Sequence, residues 1–208
     1  QQLSFISYPG MRFCHQGWLS TDRKYLYIDD ELDGPGAGSG NVPAFLTRVF
    51  DVSDLANPRM ISVFNNGNTS IDHNQYTNGR YLFQSNYCSG MHVWDMANPL
   101  KPVEVAWIDT RPEDDAATYN GSWGNYPFFN SGTILISDLE RGLFIVRLSL
   151  LEMSLPSPAP TILTTGQATP VALQITEREA AAGAVSLMVS VNGGAYTALP
   201  TNGILSRT

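Results

Sequence analysis

Two histidines and a run of carboxylates are the residues of this sequence whose chemistry is easiest to name. His15 lies in CHQGWLSTDRKYLYIDDELD and His73 in SIDHNQYTNGRYLFQSNY. Imidazole nitrogen suits zinc, copper or iron, so two such side chains near carboxylates resemble half of a transition-metal site whose other ligands come from elsewhere. The plainer alternative is that each histidine hydrogen-bonds neighbouring backbone and fills space. The loop DDELDGPGAGSGN, carrying Asp29, Asp30, Glu31 and Asp33, combines oxygens with turn-forming glycines, as Ca²⁺ requires, but lacks the EF-hand spacing. A solvated acidic turn is the expectation there.

Other chemistries gain less from the sequence. There is no G-x-S-x-G elbow, and Cys14 and His15, adjacent on a strand, should point to opposite faces. Asp30, Glu31, Asp114 and Asp115 offer acids for glycoside cleavage, yet the separation of two carboxyl groups decides that mechanism. Trp123, in YNGSWGNYPFF, sits among small polar residues that predict a loop; there it either stacks on a sugar or peptide or wedges the neighbouring sheet shut. Cys14 and Cys88 form an even count, which fits one disulfide and fits two reduced thiols equally.

The elements that must position these groups are short strands. The chain has 208 residues, 43% apolar and 15% charged, enough for one sizeable core or two small domains. Eighteen glycines and thirteen prolines, with Asn-Gly, Ser-Gly and Asn-Pro pairs, punctuate it about every ten residues, too tightly for long helices. This predicts an all-β fold. A net charge of −7 without a Lys/Arg cluster argues against a general nucleic-acid binder. No run approaches the roughly 18 apolar residues of a membrane span. The opening QQLSFISYPG carries neither Met nor a charged leader, so a segment is expected to have been removed before it.

The strands recur in groups. FDVSDLANPRMISVF (50–64) matches WDMANPLKPVEVAWI (94–108), each with a proline seven residues after the Asp, Asp51 with Pro58 and Asp95 with Pro102. Upstream lie KYLYIDDE and RYLFQSNY, and a third copy reads TILISDLERGLFIVRL, with Gly142 aligned to Gly90 and Ser131-Gly132 to Asn78-Gly79. Each unit reads as four antiparallel strands, and repeated four-strand units are the blades of a β-propeller. In such a meander the start of the first strand shares an end with the loop between the second and third. Cys14, His15, the acidic loop, His73, Cys88, Trp123 and Arg141 should therefore gather on one rim. The acidic loop, longer than its counterpart, should project there as a flap. Counted back from the turn glycine, the third copy's equivalent of the histidines falls near Tyr126. Trp18, Trp94, Trp107 and Trp123 read mostly as core.

These segments, together with the Asp-rich strand ends, resemble the LVIVD-repeat propellers of the secreted bacterial proteins called choice-of-anchor B. The resemblance covers roughly Cys14 to Leu148. It implies a propeller of which about three blades and a leading strand, LSFISYPG, are present, an incomplete ring since closure takes about four.

Domain boundaries follow composition: blades over 1–150, a proline-rich linker over 151–160 (from LEMSLPSPAP), and a β domain over 161–208. The last resembles the start of an Ig-like or fibronectin-like sandwich, with a hairpin through Asn192-Gly193-Gly194 and fewer strands than the about seven of a full sandwich. The expected function is a secreted or cell-surface binding or structural module. Its protein or glycan ligand would be held at the rim by His15, Asp30, Glu31, Asp33, His73, Trp123 and Arg141. The alternative is a metal-dependent extracellular oxidase or hydrolase centred on His15 and His73, its cofactor a divalent metal such as Ca, Zn or Cu. A third reading is a subunit of an assembly completed by neighbours through strand addition.

Overall fold

The computed structural model describes residues 1–35, 44–148 and 150, and the backbone of four further strands at 151–154, 174–177, 188–189 and 197–198. Among these residues there is no helix, and so none long and apolar enough to cross a membrane. The chain divides into two compact units, Gln1–Leu148 and Ser149–Thr208.

The first unit is built from three antiparallel meanders. Strands β1 (Cys14–Leu19), β2 (Tyr25–Asp30), β3 (Thr47–Asp51) and β4 (Arg59–Phe64) pair in chain order. Strands β5 (Asn74–Asn78), β6 (Tyr81–Ser85), β7 (Met91–Asp95) and β8 (Val103–Ile108) repeat the arrangement. The third sheet holds β9 (Ser122–Tyr126), β10 (Thr133–Asp138) and β11 (Gly142–Arg147), with β10 in the middle. Among the described residues no sheet closes on itself. The first strands are neighbours, β1 beside β5 and β5 beside β9, so the sheets share one inner edge.

Strand alternation explains how the sheets stack. Successive side chains point to opposite faces, and the second sheet is apolar on both. Leu82 and Trp94 join Tyr27, Val49, Phe64 and Met96 in one core, while Phe83, Met91 and Val93 join Ile134 and Ile136 in another. Trp94 meets Phe64 edge-on with ring centroids 4.6 Å apart. Trp107 does not belong to this core: it is 69% exposed on β8, and Trp18 and Trp123 are also partly exposed. Of the tryptophans expected in the core, Trp94 alone is buried, and Trp123, singled out as a candidate for ligand stacking, is 47% exposed on β9.

The inner strands are edges, and their free backbone groups need partners. Side chains supply them. Gln16 Nε2 donates to the Gln75 carbonyl at 3.0 Å, and Thr77 Oγ1 donates to the Leu19 carbonyl at 2.7 Å. Asn78 Nδ2 reaches the Pro127 carbonyl at 2.7 Å. These amide and hydroxyl clamps fix the sheets against one another along the shared edge, and thereby fix the residues at its ends.

In the second unit β12 (Leu151–Ser154) pairs antiparallel with β13 (Gln174–Glu177), and β14 (Met188–Val189) with β15 (Thr197–Ala198). The proline-rich segment thus begins in a paired strand, and residues 155–160 lie outside the described residues, as does the turn at Asn192-Gly193-Gly194.

Candidate functional site

At one end of the shared edge the imidazoles of His15 and His73 stack, with ring centroids 4.4 Å apart and planes 20° from parallel. Ladder register explains the meeting. Ile28, Gln84 and Ile136, each fourth in its strand, pair with Gly17, Gln75 and Asn125. Two residues before these partners stand His15, His73 and Trp123. Trp123, and not a residue near Tyr126, is thus the third sheet's counterpart of the histidines. Counting back from the turn glycine fails because the β9–β10 turn is longer than the β5–β6 turn, whereas register across the ladder is unaffected by turn length. A bulge between Cys14 and Gly17 sets His15 and Gln16 opposite Asp29, and the β9–β10 register also shifts at this end.

His73 is held from three sides. Its Nδ1 lies 2.7 Å from the Trp123 carbonyl oxygen, which also accepts from Asn74 Nδ2 at 2.9 Å. A carbonyl only accepts, so Nδ1 is the protonated nitrogen, and Nε2 carries the lone pair of the neutral ring. Burial pushes the His73 pKa down to about 4, with the Trp123 hydrogen bond opposing, so the ring is neutral at pH 7. Nε2 faces Glu31 Oε1 at 3.2 Å, and that oxygen accepts the Tyr87 hydroxyl at 2.9 Å. The Tyr87 and Trp123 rings flank the imidazole at 4.4 and 4.7 Å.

Tyr87 has a left-handed backbone, φ 40°, which is unfavourable for a bulky residue. It persists because Tyr87 and Ser122 exchange hydrogen bonds at 3.1 and 2.9 Å and Gly90 N–H donates to the Tyr87 carbonyl at 3.0 Å. Gly121 permits that contact. Its φ is +84°, and a Cβ there would lie 2.4 Å from the Tyr87 carbonyl oxygen.

The surroundings are strongly acidic. Asp29, Asp30, Glu31, Asp33 and Asp72 are all at least nine-tenths buried, while Arg48 is the only buried guanidinium or ammonium among the described residues. The acidic loop is therefore no solvated turn up to Gly34; residues 36–43 of the expected flap lie outside the described residues. Its carboxylates are drawn inward by backbone donors. Asp30 Oδ2 accepts from Arg12 N–H at 2.8 Å and the Tyr8 hydroxyl at 3.0 Å, and Oδ1 accepts from Phe13 and Leu32 N–H at 2.8 and 3.1 Å. Asp33 Oδ2 pairs with Arg48 Nη2 at 2.6 Å. Asp72 Oδ2 accepts from Thr47 Oγ1 at 2.9 Å. Burial raises the Asp72 pKa to about 7 and lifts that of Asp29 well above the carboxylate range, the latter also repelled by Asp72 and Glu31.

The sequence-derived candidates thus separate. His15, Glu31, His73 and Trp123 come together, and the nearest ring nitrogens and carboxylate oxygen of the first three lie within 4.8 Å of one another. Asp30 and Asp33 are engaged in structural hydrogen bonds. Arg141 pairs with exposed Glu113. Cys14 and Cys88 are free thiols, Cys14 exposed and Cys88 buried, with Cys88 Sγ 3.2 Å from Thr118 Oγ1, so the disulfide that the even count allowed is not formed. Sequence reasoning missed Asp72 and Tyr87 as parts of the site; Asp72 directly precedes His73, but nothing local marks Tyr87 as its neighbour. A groove of about 630 Å³ lies at the other end of β1, lined by Trp18, Leu19, Thr21, Arg23 and Asn78, away from the histidines.

No protein-family model matches the chain, and no curated protein matches it either.

Proposed function

We propose that the first unit is part of an LVIVD-type β-propeller of a secreted or surface-displayed protein. In this reading it acts as a binding module whose ligand end is the one carrying His15, His73 and Trp123. Three meanders sharing an inner edge support the architecture. One observation carries the choice of end: Trp123 is 47% exposed while its carbonyl is locked by His73 and Asn74 and its ring packs on those of His73 and Tyr87. A rigid, solvent-facing indole over a polar floor offers stacking to a flat sugar face at little cost in side-chain entropy. The ligand class is a glycan.

Tryptophan fluorescence and calorimetric titration against a panel of soluble oligosaccharides test this. Trp123→Ala should weaken the binding seen in the unmodified protein by about tenfold or more, about 1.4 kcal/mol, at a temperature where circular dichroism shows the variant folded. Trp107→Ala, at an exposed site on β8, should leave binding unchanged. Oligosaccharide binding that is absent, or indifferent to Trp123→Ala, overturns the reading.

A further inference from the structure

We propose that His15, Glu31 and His73 bind a divalent transition-metal ion, zinc fitting best, with a fourth position left to water or to the bound ligand. The inference rests on the reading of this end as the ligand end and names the centre around which that ligand would gather.

The donor set carries the choice of ion. Two imidazoles and one carboxylate suit zinc and its first-row neighbours, whereas calcium takes six to eight oxygens. Ligand atoms bonded at about 2.0–2.1 Å to a tetrahedral zinc stand about 3.3–3.4 Å apart. His73 Nε2 and Glu31 Oε1 are already 3.2 Å apart. Both present lone pairs when the ring is neutral and the carboxylate ionised, a repulsive contact that a shared cation turns into an attractive one. The Trp123 carbonyl holds His73 Nδ1–H, and the Tyr87 hydroxyl holds Glu31, the outer hydrogen bonds that orient metal ligands.

His15 completes the set by turning. Stacked, near-parallel imidazoles cannot aim lone pairs at one point, so His15 has to rotate out of the stack. Its side chain is 26% exposed, which leaves it that freedom. Its Nδ1 has no hydrogen-bond partner, and neither does Oδ2 of the fully buried Asp29 beside it. Asp29 Oδ1, which accepts the Gln16 N–H at 2.7 Å, lies 3.9 Å from that nitrogen, near enough to form a hydrogen bond with it once His15 rotates.

The test uses the whole chain, stripped with EDTA and dialysed, and the metal alone as probe. Zinc titration against a chromophoric chelator, and cobalt(II) absorption as a report on geometry, should give one ion per chain with tetrahedral-type cobalt bands. His15→Ala and Glu31→Gln should each weaken binding by about tenfold or more, while Asp22→Asn, at an exposed site, leaves it unchanged. Circular dichroism checks folding; should Glu31→Gln unfold, the partly exposed His15 carries the test. Affinity weaker than about 100 µM, or affinity that neither substitution changes, overturns the proposal. Oligosaccharide titrations run in EDTA separate the two readings: saccharide binding that depends on Trp123 while zinc fails to bind rejects the metal site alone, and zinc binding without saccharide binding rejects the glycan function alone.

Discussion

A single carbonyl, that of Trp123, decides which nitrogen of His73 holds the proton, and so whether the ring offers Glu31 a lone pair or a donor. At this scale burial is the governing term. Asp72, with its pKa raised to about 7, keeps its proton on folding where the unfolded chain has lost it. Its contribution to stability is full below about pH 4 and lost as pH rises through 7. His73, lowered to about 4, works the other way: its contribution is present above about pH 6.5 and lost as pH falls through 4. Between those limits the two offset, and Asp29, raised by burial, sets the slope. Asp33, raised by burial to about 6, adds to the same slope, so the metal-free protein should lose stability as pH rises from 5 to 7, read as a falling melting temperature in EDTA. Asp72→Asn keeps an acceptor for Thr47 and removes one titration. It should flatten that profile and raise the melting temperature at pH 8. A wild-type melting temperature that climbs from pH 5 to 7 contradicts the account.

The strands place these residues through two devices, bulges and close-packed glycines. The bulge in β1 swings His15 opposite Asp29, and Gly121 lets the Tyr87 carbonyl approach Ser122. Glycine matters differently at two turns. Gly79 has φ +61° with nothing near its missing Cβ, so Gly79→Ala should cost only the left-handed penalty of about 1–2 kcal/mol. Gly121→Ala adds a backbone collision and should cost on the order of 3–5 kcal/mol. Urea unfolding of both variants measures the difference, and equal losses would show that the Tyr87 contact yields without strain. The strands themselves were legible, since YLYIDD and YLFQS alternate as half-buried strands do. Their turns misled, because the length of the β9–β10 connection hid the correspondence of Trp123 with the two histidines.

For the whole molecule, the separation into Gln1–Leu148 and Ser149–Thr208 carries its own expectation. The first unit has two apolar cores between its three sheets and clamps along their inner edge. Residues 1–148 expressed alone should therefore melt cooperatively, within about 3 °C of the corresponding transition in the full chain. A broad, non-cooperative transition would mean that the sheet faces carrying exposed Leu143 and Ile145 need a further partner to complete the fold.

The sequence alone determined the all-β class, the antiparallel pairing of neighbouring strands and the nearness of His15 to His73, because period-two alternation and turn residues act over short range. It left open whether the acidic loop faces water or the interior, whether the cysteines join, and which carboxylates remain free for chemistry. Tertiary structure decided these. Backbone donors from Arg12, Phe13 and Leu32 and the Arg48 guanidinium draw Asp30 and Asp33 inward, and packing between sheets sets Tyr87 and Glu31 against His73. Such contacts join residues far apart in the chain, and no local pattern encodes which distant donor will meet a given carboxylate.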